Sequence, residues 1–410
     1  MQKCCILDFA LKIPIKISTV VSIIMRNSFT AIVAGFVLIF ALVLTATQVS
    51  AQAIQSAEPF KVATFTVDGR QLIGLVLRDQ LVVEIDAAND NLEQNPAYPE
   101  MAMPDDMLGL IGLYEYGLKS RLYEIVNHLV EDDMLQASNR PGFIHEVTVV
   151  DLQAPIQYPG KIMNAAGNFY THICEGCSEE ELAESTRERR ANRGVPYLFL
   201  KPSRGAVIGT GDDIVIPWGR TRTDWEIEFG TVIGRTGKYI PASEAKNYVF
   251  GYMVTIDISD RGGRGEASRR SDWFVGKGHD TFAPQGPWIV PKEFYGDPME
   301  RLHQQLSIDG VVVQEARAGD MIFNIWELME YASSLITLFP GDVLNSGTTG
   351  GTSLAGFDNL ERSGYLVPGE HIKATIDGIG SLEHDAVAGE EPPSTLSGAQ
   401  LQPVGGRRIN

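Results

Sequence analysis

Apolar and polar positions alternate along residues 58–90, through Phe60-Lys61-Val62-Ala63-Thr64-Phe65, Leu72-Ile73-Gly74-Leu75-Val76 and Leu81-Val82-Val83-Glu84-Ile85. This period predicts short antiparallel strands with turns at Asp68-Gly69 and Arg78-Asp79. From 104 to 138 the spacing becomes helical, as in Leu118, Leu122, Ile125 and Leu129. Asn139-Arg140-Pro141-Gly142 interrupts it before a further apolar stretch at 147–152. These elements read as a small N-terminal α+β domain over 58–150. Over 155–388 most segments are short strands bounded by Gly and Pro, at 214–217, 225–233, 249–257 and 306–314. One helix stands out at 179–193: Ser178 is an N-cap, Glu181 completes a capping box, and Gly194 and Pro196 stop it. The expected fold is therefore α+β and mostly β, with the larger unit at 155–388 and a Pro/Ser/Gly/Gln-rich disordered tail at 389–410.

The first fifty residues have a different pattern. Met25-Arg26-Asn27-Ser28 is a short positive start, 29–46 is an almost unbroken apolar run, and Val49-Ser50-Ala51 has the small-x-small form that signal peptidases cut after. The expectation is a secretory signal peptide over 1–51, with Met25 as the alternative start. The competing reading is an uncleaved anchor helix. Either way the rest of the chain is expected outside the cytoplasmic membrane, in the periplasm or the medium.

Composition narrows the function classes. The chain has 410 residues, 44% of them hydrophobic and 21% charged, which suits a globular protein with a sizeable core. Its net charge of -18 repels phosphate backbones, so nucleic acid is not an expected partner. Four cysteines are too few for a disulfide framework.

The strongest chemical signal is a run of carboxylates. In Asp224-Trp225-Glu226-Ile227-Glu228-Phe229 an extended strand places Glu226 and Glu228 on one face, with Asp224 beside them and Ile227 and Phe229 on the other. Like charges two residues apart are costly to bury, and a hard divalent cation removes that cost. A second strand, 250–257, ends in Asp257. The bland alternative is a solvated strand face. His172 and Glu175 are three apart, close enough on a helix for the carboxylate to orient the imidazole as a general base. Lys277 lies between glycines among large apolar residues and suits an oxyanion, or else is a snorkelling surface lysine. Gly347-Thr348-Thr349-Gly350-Gly351 is a turn able to present N–H groups to an anion, or a plain Gly-rich loop. Cys174-Glu175-Gly176-Cys177 brackets the proposed base partner. Outside the cytoplasm it closes a disulfide or stays as two thiols.

Taken in order, these pieces resemble the fumarylacetoacetate hydrolase family over about 161–388. They run Asn168-x-x-x-His172-x-x-Glu175, Asp224-x-Glu226-x-Glu228, Gly251-Tyr252 to Asp257-x-Ser259-x-Arg261, Lys277-Gly278-x-Asp280-Thr281-Phe282, Gly286-Pro287-Trp288 and Pro340-Gly341-Asp342 to Gly347-Thr348, with Leu198-Phe199-Leu200-Lys201-Pro202 also matching. The resemblance implies a mixed β-roll, usually a homodimer. It implies Mg²⁺, with Mn²⁺ or Ca²⁺ as alternatives, held by Glu226, Glu228 and Asp257. It makes His172 and Glu175 the water-activating dyad, Lys277 the oxyanion lysine, and Arg261 and Thr348 substrate-side groups. The implied reaction is hydrolysis of the C–C bond of an acylpyruvate such as fumarylpyruvate. The alternatives are a decarboxylase, isomerase or hydratase acting on a 2-oxo acid at the same site, or an exported carboxylate-binding protein without turnover. The helix at 179–193 is expected to act as a lid that orders on substrate binding, or else to be a fixed surface helix. Ile256, Arg264, His279 and Thr349 depart from the family pattern at positions that bear on the substrate rather than on the metal. The loop 261–270 is unusually basic for so acidic a chain.

Overall fold

The computed structural model describes residues 54–264, 272–355, 364–393 and 395. The leader expected at 1–51, residues 265–271 of the basic loop and most of the 389–410 tail lie outside the described residues. Among the described residues, no helix is long and apolar enough to cross a membrane.

The alternating N-terminal segment forms β1 (Phe60–Val67), β2 (Arg70–Leu77) and β3 (Leu81–Glu84). Both connecting turns put two residues in the left-handed region, at Asp68-Gly69, which closes a two-residue hairpin, and at Arg78-Asp79, in a three-residue loop. The helical spacing resolves into α1 (Ile85–Leu92), α2 (Met107–Leu113) and α3 (Leu118–Glu131). Gly117, at φ +115°, separates the last two. Two short strands follow, β4 (Ile144–Glu146) and β5 (Asp151–Gln153).

The remaining elements are β6 (Ile162–Ala165), α4 (Tyr170–Ile173), α5 (Glu179–Ala191), β7 (Leu198–Lys201), β8 (Val207–Ile208), β9 (Ile214–Ile216), β10 (Thr223–Asp224), β11 (Ile227–Ile233), β12 (Val249–Ile256), β13 (Ser259–Asp260), α6 (Trp273–Lys277), β14 (Ala283–Pro291), α7 (Lys292–Tyr295), α8 (Pro298–Arg301), β15 (His303–Ile308), β16 (Val311–Arg317), α9 (Ile325–Leu335), β17 (Val343–Asn345), β18 (His371–Ile376) and β19 (Gly380–Ala388). The main sheet runs β4-β3-β2-β1-β14-β12-β11-β17-β6-β7, with β5 added to β1 and β8 to β14. A second sheet runs β16-β15-β18-β19-β9. Antiparallel pairs dominate, while β17–β6, β19–β9 and β14–β8 are parallel, so the architecture is a strand-rich, mixed α+β fold.

Residues 58–150 and 155–388 share the main sheet. β1 meets β14 at Val62 and Ile289, so the boundary expected near 150 does not divide the sheet. The N-terminal hairpins extend the sheet that carries the acidic strand.

That acidic strand is anchored from behind. Phe229 of β11 packs on Tyr252 of β12 (4.9 Å between ring centroids) and on Tyr295 (5.7 Å), and all three are buried. Burying one such ring contributes about 2–3 kcal/mol. This holds the opposite face of the strand, with Glu226 and Glu228, in a fixed position. The strand expected to run unbroken from Asp224 through Phe229 is interrupted at Trp225–Glu226. Asp224 takes the Trp225 N–H on its own carboxylate (2.9 Å), and Gln314 takes the Ile227 N–H on its side-chain oxygen (3.0 Å). Those two N–H groups leave the ladder, so β10 pairs with β13 while β11 pairs with β12.

Candidate active site

The acidic centre forms where β11 starts and β12 ends. Carboxylate oxygens of Glu226, Glu228 and Asp257 lie within 4.8 Å of one another, and all three residues are buried. Three buried carboxylates are tolerable only with compensation. Lys277 Nζ donates at 2.6 Å to Glu226, to Asp257 and to the Ser259 hydroxyl. Lys201 Nζ donates to the other oxygen of Asp257 and, at 2.8 Å, to the Ile258 carbonyl. Arg261 spans Glu226 and Asp224, the latter at 2.9 Å. Glu228 receives the Gly347 N–H (2.8 Å) and, among the described residues, no cation.

The electrostatics follow from this unequal sharing. Burial opposes the charge on Glu226, but Arg261 and Lys277 outweigh it and hold that carboxyl well below its usual range. Burial and the negative charges of Asp257 and Glu226 push Glu228 well above its usual range. Burial lowers Lys201 to about 8, with Asp257 opposing the shift. A hard divalent cation fits this oxygen-only donor set, and it would neutralise the carboxylate that the chain leaves without a basic partner.

The dyad is assembled across a chain reversal. α4 carries His172 and ends at Ile173, so Glu175 lies beyond the helix. Nevertheless His172 Nδ1 is 3.1 Å from a Glu175 carboxylate oxygen. Glu175 also accepts the Thr352 main-chain N–H (3.1 Å) and the Thr352 hydroxyl (2.7 Å). With Nδ1 on the carboxylate, Nε2 is the nitrogen left to act on a substrate. Burial works against a charged His172. The hydrogen bond that His172 donates to Glu175 and the charges of Glu226 and Glu175 prevail, and the imidazole is shifted upward.

Other expected residues fall at the same place. The Thr348 hydroxyl donates to the Ile227 carbonyl (2.8 Å) and accepts from Gln314 (2.9 Å), so it is built into the wall beside the acidic strand. Three N–H groups of the 347–352 loop serve the chain's own oxygens: Gly347 binds Glu228, Gly350 binds the Thr171 hydroxyl at 3.0 Å, and Thr352 binds Glu175. Arg264 is exposed, 3.8 Å from Asp272, and His279 is 3.4 Å from Asp260. Cys174 and Cys177 are joined in a disulfide.

Three positions with no assigned role in the sequence reading prove central. Asn168 ties the start of α4 to distant loops, donating to the Phe323 and Ser346 carbonyls (2.9 and 2.7 Å) and accepting the Phe323 N–H. Thr352 holds Glu175, and Lys201 holds Asp257. Lys201 and Phe199 alternate onto one face of β7, and Trp273 and Lys277 share a face of α6. Phe199 accordingly lies 5.2 Å from Lys277 Nζ and 4.6 Å from Trp273, which meets Tyr197 at 5.6 Å. These rings make an aromatic shelf beside the lysine.

Residues 161–387 match the model of the fumarylacetoacetate (FAA) hydrolase C-terminal family. An uncharacterised protein of Pyrococcus abyssi is 39% identical over 233 residues, covering 56% of this chain and 91% of its own. The 2,4-didehydro-3-deoxy-L-rhamnonate hydrolase of Sphingomonas sp. (strain SKA58) is 34% identical over 227 residues, covering 55% and 73%. Maleylpyruvate hydrolase from Sphingobium sp. SYK-6, solved with manganese(II) and pyruvate, superposes with a TM-score of 0.57 at 25% identity, covering 80% of this chain and 100% of that one. With the family model spanning more than half of its length, and with the acidic centre and dyad in place, this chain belongs to the fumarylacetoacetate hydrolase family.

Proposed function

We propose that the protein is a divalent-metal-dependent hydrolase that cleaves the C–C bond of an acylpyruvate-type 2,4-dioxo acid, with Mg²⁺ as the working ion. The observation that carries this reading is the His172–Glu175 pair, locked by Thr352 and close enough to Glu226 to feel its charge. Isomerisation or decarboxylation needs no activated water, whereas hydrolysis does.

A cation held by Glu226, Glu228 and Asp257 would supply Lewis-acid binding of the carboxylate and 2-oxo oxygens and a sink for the charge that C–C cleavage leaves. The chain's own residues do the rest. His172 Nε2 takes a proton from water while Glu175 fixes the tautomer and the ring plane. The hydroxide adds to the distal carbonyl. Lys277 donates to the resulting oxyanion by giving up the neutral Ser259 hydroxyl, since a charged acceptor is the stronger partner. The acyl substituent beyond that carbonyl lies along Phe199 and Trp273. When the C–C bond breaks, the proton held on His172 is available to the three-carbon product, leaving a carboxylic acid and pyruvate.

The relatives support the substrate class: one is named for hydrolysis of a didehydro-deoxy sugar acid and another for hydrolysis of maleylpyruvate. The same reading includes export by the leader expected at 25–51 and assembly as a homodimer. The test is Mg²⁺- or Mn²⁺-dependent loss of the enol absorbance of fumarylpyruvate and acetylpyruvate, with pyruvate release followed in parallel. Metal-dependent pyruvate release that disappears in Glu226→Ala supports the hydrolase. Loss of absorbance without pyruvate points to an isomerase or hydratase. Binding without turnover points to a carboxylate-binding role.

A further inference from the structure

Cys174 and Cys177 take no part in the chemistry proposed above, yet their disulfide encloses Glu175. The Cα atoms are 5.4 Å apart, and the Cys177 N–H donates to the Cys174 carbonyl at 3.1 Å. Among the described residues, the bonds on Glu175 in this segment are to its side chain, from His172 and Thr352. α4 has already ended, Cys174 is non-helical (φ −131°, ψ 38°), and Gly176 is left-handed at φ +78°. α5, which follows directly, buries none of its 13 residues. A cavity of about 230 Å³, lined by Asn168, Ile173, Arg189, Arg193 and Phe323 among others, lies beside the ends of α4 and α5. No helical ladder fixes the backbone that carries Glu175.

We propose that the Cys174–Cys177 bridge is the positioning device for Glu175, and that reducing it uncouples Glu175 from His172 and slows turnover without unfolding the protein. This inference rests on the reading of His172 and Glu175 as the water-activating pair. A bridge between residues three apart removes little entropy from the unfolded chain, so its contribution to global stability is small and its effect is local. Thr352 grips the carboxylate tip, whereas the bridge sets the main chain from which that side chain starts. Cys177 is exposed, so an external reductant can reach it. An external dithiol attacks as its thiolate at Cys177 Sγ and forms a mixed disulfide, which its second thiol resolves. Two electrons and two protons pass to the protein. Cys174 and Cys177 end as thiols, and the reagent ends as its own disulfide. The pair thus couples the enzyme to the redox state of its compartment, active where disulfides persist.

The test uses the full chain with dithiothreitol and then with an oxidant, and alkylation read peptide by peptide reports the state of the two cysteines. Reduction is expected to lower kcat about tenfold or more, within the 10²–10⁴ range that general-base catalysis supplies. KM should change by less than about twofold, Mn²⁺ affinity should hold, and reoxidation should restore kcat. The double variant Cys174→Ser/Cys177→Ser should match the reduced enzyme and ignore reductant. Unchanged kcat with both cysteines alkylated would overturn the proposal. So would cysteines already alkylated before reduction, or a loss of kcat that tracks a fall in Tm and in metal binding. Glu175→Gln separates the two levels: if it turns over like the natural chain, the dyad reading itself has failed and this inference falls with it.

Discussion

Thr352 donates to Glu175 twice, from its main-chain N–H at 3.1 Å and from its hydroxyl at 2.7 Å, across 177 positions of sequence. A carboxylate held this way keeps one oxygen on His172 Nδ1. Thr352→Val keeps the shape and the N–H contact but removes the hydroxyl. It is expected to lower kcat about tenfold with little change in KM, and Thr352→Ser should recover most of the loss. Steady-state kinetics of the two variants check this.

His172 should titrate above an ordinary imidazole, because the hydrogen bond and charge of Glu175 and the charge of Glu226 outweigh its burial. The sign for stability follows. A raised imidazole stabilises the fold fully below its unfolded value of about 6.5, and that stability is lost as pH rises through the folded value. Glu175→Gln should move the titration down. Proton NMR of the metal-free protein, with His172→Ala assigning the signal, measures both.

Lys201 and Lys277 hold opposite oxygens of Asp257, and both are buried. Removing one partner from a buried ion pair costs about 3–5 kcal/mol. Lys201→Met is therefore expected to lower Tm markedly in metal-free protein. Added Mn²⁺ should recover part of the loss, because it meets the charge that Lys201 leaves uncompensated. Thermal melts with and without Mn²⁺ read this out.

The aromatic shelf predicts where the acyl group lies. Trp273→Ala should raise KM for acylpyruvates about tenfold, as expected when a ring contact worth about 1.5 kcal/mol is lost. Oxalate, which has no acyl group, should bind as before. Calorimetry with oxalate beside steady-state kinetics separates the two effects.

Features governed by neighbours in sequence were legible before the structure. The Asp68-Gly69 turn, the Ser178–Glu181 capping box and the shared face of Glu226 and Glu228 all follow from local backbone geometry. Features made by tertiary contacts were not. Asn168 was visible as the start of the His172 motif, but nothing near it or near Thr352 shows which groups they hold, because their contacts span about 150 residues or more. The break at Trp225 depends on Gln314, which is distant in sequence and lies on the second sheet. Lys201 was visible as part of a motif, but its contact with Asp257 depends on bringing β7 beside the end of β12.

The most direct measurement is pyruvate release by His172→Ala beside its Mn²⁺ affinity. The account predicts a fall in kcat of about 10²–10⁴, with metal affinity within about twofold of the natural chain, because the imidazole activates water and is not one of the three carboxylates that would hold the ion. Turnover near that of the natural chain would contradict it, and water activation by the His172–Glu175 pair would have to be abandoned.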